Sequence, residues 1–379
     1  MTDPTRPDTD SDADKAVSVK SAAWDRAGNE VIPDYPGVHE ESEPPQPLSK
    51  RLRDPRTIIS IVLPILLVVL IAVSVGNINF AALAQAISQA NPALLLAAFA
   101  VYYLGFPLRG YRWTLLLRGA GTEVRVRDST EIIFISWLVN CLVPAKLGDV
   151  YRAYLLRLNF DVSLSRTFGT VFIERVFDLF AIVLLGLLAG FWSFRTGMSP
   201  EVQIVFAIGI LVVVMLSVGL FIIRNFGSRI IRRLPLPHRV VEFYDRFEEG
   251  LFSISARNLP WLAIITGLIW ATEAMRLYLV ILALGFDDVQ VGISGAFFVA
   301  LIASLLTAVP FTPAGLGLVE LGVAGILIGL YNVPAQEAAA IVLVDRAISV
   351  LSVIIFGGIA YVVSDKTKGP RATPAPETA

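Results

Sequence analysis

Thiol and imidazole chemistry is nearly absent from this chain of 379 residues, which has one cysteine, Cys141, and two histidines, His39 and His238. That excludes a disulfide scaffold, a Cys/His zinc site and a Cys–His nucleophile pair, and leaves Cys141 as inert packing. Charge is scarce too: Asp, Glu, Lys and Arg make up 17% of the residues, against about 25% in soluble domains. A glycine-rich phosphate loop is also missing, so nucleotide hydrolysis by this chain is not expected. What is plentiful is apolar surface, with 55% hydrophobic residues and a mean hydropathy of +0.68. The apolar residues fall in runs of about 18–25, the length that crosses about 30 Å of hydrocarbon at about 1.5 Å per residue. A soluble enzyme is excluded. Any chemistry must come from Asp, Glu, Arg, Lys, Ser or Asn.

The net charge of −1 conceals an asymmetry. Residues 1–49 hold 11 acidic and 4 basic side chains, whereas the remainder holds 21 acidic and 27 basic ones. The first stretch is rich in Pro, Asp, Glu and Ser and cannot bury enough surface to offset its ordering entropy, so 1–49 is read as a disordered acidic tail. Without a basic start followed by an apolar core it is no signal peptide. Residues 50–363 form the membrane domain, and 364–379 a second short tail.

The first apolar run, Thr57–Gly76, follows Lys50, Arg51, Arg53 and Arg56. Four cations there place the N-terminus in the cytoplasm, with the spans in the cytoplasmic membrane. An uncharged loop, Asn77–Asn91, then lies outside. Further spans are expected at about Pro92–Leu117, Thr167–Trp192, Val202–Ile223, Pro260–Gly285 and Ala338–Val363. The basic segment 224–258 returns to the cytoplasm, as do Lys366 and Lys368, so both termini are inside. Within that segment Val240, Phe243, Tyr244, Phe247, Leu251 and Ile254 recur at helical spacing, the pattern of an amphipathic helix on the inner leaflet. Two further stretches, about Thr130–Leu156 and Gly292–Leu330, each hold two apolar legs around a Pro/Gly break, Pro144-Ala-Lys-Leu-Gly148-Asp149 and Pro310-Phe-Thr-Pro313-Ala-Gly315-Leu-Gly317. Proline removes a helix donor and glycine permits a tight reversal, so each stretch makes a hairpin, re-entrant or fully spanning. The first legs differ in length, about 14 residues against 18–20.

Pro144–Gly148 aligns with Pro313–Gly317 at an offset of 169, Glu174-Arg175 with Asp345-Arg346 at 171, and Arg109 with Arg276 at 167. Each half reads as an arginine-bearing span, a hairpin, and a span with an acid–Arg pair. The two copies, about 92–192 and about 260–363, enter the membrane from opposite sides, the inverted-repeat pattern of many transporters. The expected fold is an all-α polytopic membrane protein, an inverted repeat of span–hairpin–span units plus a cytoplasmic amphipathic helix.

Ten ionisable groups fall within or near hydrocarbon: Arg109, Arg112, Glu174, Arg175, Asp178, Glu273, Arg276, Glu320, Asp345 and Arg346. Each costs about 2.5–3.5 kcal/mol at a span centre. Five are basic and five acidic, so they can neutralise one another around a polar core. Glu174 and Asp178 stack at i, i+4, and Glu273 can pair with Arg276 at i, i+3. Arg112 and Arg109 could instead snorkel to the interface, and the acid–Arg pairs could be structural bridges only. Pro310, Pro313, Gly315 and Gly317 form a hairpin whose free backbone N–H groups suit an anion. Asn140 and Trp137 stand at the first hairpin.

These segments resemble the lysylphosphatidylglycerol synthase transmembrane (flippase-like) family. The resemblance lies in Arg109-Gly-Tyr-Arg112-Trp, Asn140-Cys-Leu-Val-Pro144-Ala-Lys-Leu-Gly148-Asp149-Val-Tyr-Arg152, Glu174-Arg175-Val-Phe-Asp178, Pro313-Ala-Gly315-Leu-Gly317-Leu-Val-Glu320 and Asp345-Arg346, across about 57–363. It implies the handling or movement of polar lipids across the bilayer. The family's soluble aminoacyltransferase domain is not expected here, because the chain stops about 15 residues after its last span. The expected function is that of a lipid flippase without cofactor or metal. Arg109, Arg112, Arg152 and Arg276 would hold anionic headgroups, and Glu174, Asp178, Glu320 and Asp345 would neutralise them in the empty state. Asp149, Arg175, Glu273 and Arg346 complete the candidate site. Membrane lipids are the expected ligands; a separate lipid-modifying enzyme and a homo-oligomer are allowed as partners, and nucleic acid is excluded. The alternatives are a membrane transferase using a lipid-linked donor, with Asp149 and Glu320 at the hairpin tips, and a non-transporting accessory subunit.

Overall fold

The structure is a computed structural model, and it describes residues 80–160, 162–235, 237–308 and 312–368. The first apolar run, the N-terminal tail, the C-terminal tail beyond Lys368 and Pro310 lie outside the described residues. Every regular element among those described is helical. In chain order they are α1 (Phe80–Gln89), α2 (Pro92–Gly119), α3 (Val126–Leu142), α4 (Leu147–Asn159), α5 (Leu164–Ser193), α6 (Pro200–Arg233), α7 (His238–Leu251), α8 (Leu259–Leu284), α9 (Ile293–Ala308), α10 (Leu318–Tyr331), α11 (Ala335–Arg346) and α12 (Ser352–Val363).

Local chemistry sets these boundaries. The Asn91 side chain accepts from the backbone N–H groups of Ala93 and Leu94 at 3.0 and 3.3 Å, and Pro92 begins α2 where no N–H is needed. Gly285 ends α8 in the left-handed conformation, φ 61°, and Asn332 ends α10 at φ 54°. By length and composition five segments can cross a membrane: Pro92–Gly119, Pro200–Arg233, Leu259–Leu284, Pro313–Tyr331 and Ala335–Val363. The protein is a multi-pass helical membrane protein. Of Pro313–Tyr331, only the 14 residues of α10 are straight, because Ala314 at φ 50° breaks the axis. Helix α5 is 30 residues long and carries Glu174, Arg175 and Asp178.

Four expectations change. The first leg of the first hairpin is longer than expected: α3 has 17 residues, against 16 described in α9. Helix α3 starts four residues early because its first turn tolerates Arg127, Asp128 and Ser129, and Asp128 suits a helix N-terminus. With second legs of 13 and 14 residues, every leg spans about 20–26 Å at about 1.5 Å per residue, short of about 30 Å of hydrocarbon. The fourth span does not stop at Ile223; α6 runs on to Arg233, carrying the basic cluster on a helix. The stretch read as a loop before Asn91 holds α1, an uncharged helix. The last span is interrupted by a π-helical turn, Ala347–Leu351, directly after Asp345-Arg346.

Helices α2 and α8 lie side by side at the centre. Helix α3 packs on α2 and on α12, while α9 packs on α8 and on α5. The second leg α4 rests on α5, and α10 on α11. Helix α6 stands apart, with only Val202 and Gly209 of its 34 residues buried. Its exposed Leu211, Met215 and Phe221 suit hydrocarbon. The expected amphipathic helix forms as α7, which ends at Leu251, so Ile254 lies beyond it.

Helix α7 docks on α5 at a glycine. A Cβ on Gly169 would stand 2.2 Å from the carbonyl oxygen of Phe247 and 2.7 Å from the backbone nitrogen of Leu251, so only glycine lets the two backbones approach. Gly169→Ala is expected to pry α7 from α5 and raise amide hydrogen exchange across 238–251. Gly267→Ala, which would meet nothing within 4 Å, should leave that exchange unchanged. Equal exchange in both variants would show that the close approach does not hold α7.

Candidate functional site

All ten charges read as lying in the membrane are paired, and with Asp149 and Arg152 they form three sets. In the first, Arg112 of α2 reaches two acids of α5, Asp178 at 2.6 Å and Glu174 at 2.8 Å. It also donates to Thr266 Oγ1 of α8 at 3.0 Å. Arg152 of α4 stands beside Glu174, with Nη2 3.0 Å from Oε2 as an ion pair and Nη1 donating to Oε1 at 3.3 Å. Arg175 of α5 grips Asp149 of α4 with two parallel bonds, 2.8 Å from Nε and 2.6 Å from Nη2, the fork geometry that suits guanidinium and carboxylate. It also pairs with Asp178 at 3.4 Å. Three arginines face three carboxylates.

The second set joins Arg109 of α2 to Glu273 of α8 at 2.7 Å, Glu273 to Arg276, and Arg276 to Asp345 of α11 by two bonds of 2.8 and 3.1 Å. The third is Arg346 of α11 with Glu320 of α10 at 2.7 Å. Arg346 also donates to the carbonyl of Ala314 at 2.6 Å, and Glu320 accepts from the N–H of Gly317 at 2.5 Å. Each set is neutral by itself. Aromatic faces lie against several of the cations: Trp137 under Arg109 at 4.6 Å, Trp113 under Arg152 at 4.7 Å and Tyr102 under Arg276 at 4.9 Å.

Neutral sets follow from the surroundings. Arg112 and Arg152 are each 1% exposed and Glu174 2%, and an unpaired ion at such burial costs several kcal/mol. Burial also removes the snorkelling alternative for both Arg112 and Arg109, which is 4% exposed. The apolar partners of these charges come from the same helices: Ile269, Leu277 and Val280 of α8, and Leu116 and Leu117 of α2, are all buried.

The hairpin tips meet these sets. At the first, Asn140 accepts from the N–H of Gly148 at 2.8 Å and closes the turn after Pro144. At the second, Pro313, Gly315 and Gly317 are buried and the turn is fastened through Glu320 and Arg346. Between the tips, α2, α3, α5, α8, α9 and α11 line a partly open cavity of about 130 Å³. That is close to the size of an engineered cavity of about 150 Å³ that admits benzene, enough for a phosphate group or a few waters. Arg109, Asn140, Arg175, Asp178, Glu273, Arg276, Gly315, Asp345 and Arg346 line it. Arg112, Asp149, Arg152, Glu174, Glu320, Pro144, Gly148, Pro313 and Gly317 stand behind the lining. Arg112 and Arg152, expected to hold headgroups directly, do not themselves line the cavity: Arg112 reaches it through Asp178, which does, and Arg152 pairs with Glu174 behind it.

Several lining or supporting residues escaped the reading of the sequence. Trp270 donates to Asp178 at 3.0 Å, and the Tyr102 hydroxyl donates to the carbonyl of Ser349 at 2.9 Å, in the π-helical turn. Thr266 and Trp270 are spaced i, i+4, and Tyr102 stands seven residues before Arg109. Polar-tipped residues at helical spacing from a buried charge were the available signal. Lys146 also lines the cavity.

Removing one member of a closed set strands its partner. Glu174→Gln should destabilise the protein by about 3–5 kcal/mol, since Arg112 and Arg152 lose their shared carboxylate. Adding Arg152→Gln restores neutrality and should recover most of that loss, as read by thermal unfolding in detergent. A double variant as unstable as the sum of the singles would show that the two residues do not act together.

Comparison with known proteins agrees with a helical membrane fold. A family model for the lysylphosphatidylglycerol synthase TM region matches residues 57–357. A UPF0104 membrane protein of Methanocaldococcus jannaschii is 36% identical over 231 residues, which is 60% of this chain and 94% of that relative. A UPF0104 membrane protein of Methanothermobacter thermautotrophicus is 26% identical over 295 residues, 73% of this chain and 84% of its own. The glycosyltransferase AglD of Haloferax volcanii is 28% identical over 340 residues, 81% of this chain but 54% of AglD. This chain, a multi-pass helical membrane protein, belongs to the lysylphosphatidylglycerol synthase transmembrane family.

Proposed function

We propose that the protein is a translocase for polar lipids, anionic or glycosylated, in the cytoplasmic membrane, with both termini in the cytoplasm. The observation that carries this reading is the cavity between the two hairpin tips, walled by ionised groups in an otherwise apolar membrane body. A structural bridge needs no cavity, whereas a headgroup path does. Arg109, Arg175, Arg276 and Arg346 reach the cavity and would meet the headgroup phosphate, while acyl chains stay in lipid.

Reciprocal packing supports two inverted halves, about 92–192 and 260–363. The first leg of each hairpin packs on the long helix of its own half and on the last helix of the other, α3 on α12 and α9 on α5. The pairings correspond as well. Arg175 holds Asp149 on the second leg α4, and Arg346 holds Glu320 on the second leg α10. Arg276 takes Asp345 as Arg112 takes Glu174, so Arg112 rather than Arg109 is the counterpart of Arg276 in this scheme. Alternating exposure would come from rocking one half against the other, with each hairpin carried by its arginine latch.

The similarity to a protein named a glycosyltransferase favours a second reading, a membrane transferase or accessory subunit acting on a lipid-linked substrate. Asp149 and Glu320 would then be its candidate bases, and both are occupied by arginines. Liposomes holding only the purified protein separate the two readings. Dithionite-accessible fluorescent lipids with anionic, zwitterionic and glycosylated headgroups should move selectively. Arg276→Ala, still inserted and folded, should slow that movement by at least about tenfold, equivalent to about 1.4 kcal/mol on a barrier. A wild-type rate in the variant would remove Arg276 from the path. No movement of any lipid by intact protein would leave the transferase or accessory reading.

A further inference from the structure

Lys146 stands in the turn between α3 and α4 with φ 51° and ψ 36°, and Ala145 before it has φ 63°. The second hairpin uses the same left-handed pair at Ala314, φ 50°, and Gly315, φ 71°. Glycine therefore fills this position in one turn, as the conformation favours, and a long cationic side chain fills it in the other against that preference. The lysine is partly buried and lines the cavity.

Its charge is the surplus of the site. The six arginines and six carboxylates of the three sets cancel. Among the described residues Lys146 has no ion pair or hydrogen bond from its ammonium group. Asp149, three residues on, is taken by both arms of Arg175. A second donor faces the same need: Nη1 of Arg109, a cavity-lining side chain 4% exposed, is buried without a hydrogen-bond partner.

We propose that Lys146 binds the headgroup phosphate and that the cavity selects lipids carrying a single phosphodiester charge. One unmatched cation is neutralised by one anion. A phosphomonoester, dianionic above its second pKa of about 6, or a diphosphate would leave excess negative charge in a low-dielectric cavity. A zwitterionic headgroup would bring its own cation beside Lys146. The matching ligand is a phosphodiester monoanion with an uncharged headgroup, whether a glycerophospholipid or a glycosyl phosphodiester of a long-chain alcohol. The assignment deepens the translocase reading but stands on the binding geometry.

The test measures lipid-dependent thermal shifts of the full chain in detergent at pH 7. The probes are phosphatidylglycerol, a polyprenyl glycosyl phosphodiester, phosphatidate and phosphatidylcholine. The wild-type protein should bind one or both phosphodiesters at least about tenfold more tightly than the other two, and whichever binds more tightly identifies the source. Lys146→Arg should keep the preference. Lys146→Gly should unfold at a higher temperature without lipid, since the turn is relaxed, yet lose the preference. A preference retained in Lys146→Gly, or absent from the wild type, would overturn the assignment. Binding through Lys146 without movement in liposomes would end the translocase reading and leave the site. Movement with unchanged selectivity in Lys146→Gly would do the reverse.

Discussion

The pairing of guanidinium with carboxylate, away from water, is the interaction on which this architecture depends. Burying a single ion costs more than any one helix contact returns, whereas a closed pair with good geometry roughly recovers that cost. The chain meets the constraint by neutralising each set locally, not merely in total. Arg112, Arg152 and Arg175 are matched by Glu174, Asp178 and Asp149, with no appeal to charges across the cavity. Local neutrality has a mechanical consequence: of the ion pairs in the three sets, only Arg109–Glu273 would open if one proposed half moved against the other.

The same bridges decide which parts move together. Arg175 and Arg346 each tie a hairpin's second leg to the long helix that follows it, and Arg346 adds the carbonyl of Ala314 at the tip. Arg109 and Glu273 instead connect α2 with α8, the two central helices. The first kind of bridge keeps a hairpin rigid on its support, and the second crosses the seam between the proposed halves. A rearrangement that opens the cavity costs least if it keeps the hairpin latches and breaks or trades the seam. The π-helical turn after Arg346 lies where such a shift would be absorbed, since π-turns collect at functional sites in helices.

Much of this was legible in the residues. Apolar runs of spanning length, punctuated by Pro144 and Pro313, located the long helices and both breaks, and the expense of intramembrane charge pointed to Arg109, Glu174 and Asp345 as a polar core. What could not be read has physical reasons. Hydropathy does not see helix ends made of polar residues, so α3 began at Val126 and α6 continued to Arg233. A π-turn carries no proline or glycine signature, and Ala347–Leu351 reads as ordinary span. Pairing partners are a matter of three-dimensional register: spacing within one helix suggested Glu273 with Arg276 but could not assign Arg112 to two acids of α5. Lys146 was visible in the first turn, but its significance lies in a backbone angle and in Asp149 being taken by Arg175.

A transport site must bind well enough to admit its ligand and weakly enough to release it. Four free arginines in a dry cavity would hold a phosphate too firmly, and a fully neutral wall would give it no reason to leave the interface. Arginines shared with carboxylates lie between these limits, because each contact made to a headgroup is offset by one loosened to an acid. Against that balanced background a single unmatched cation sets the sign and size of the preferred ligand charge. Its place on a hairpin turn, rather than on a long helix, lets that preference travel with the element that would reorient.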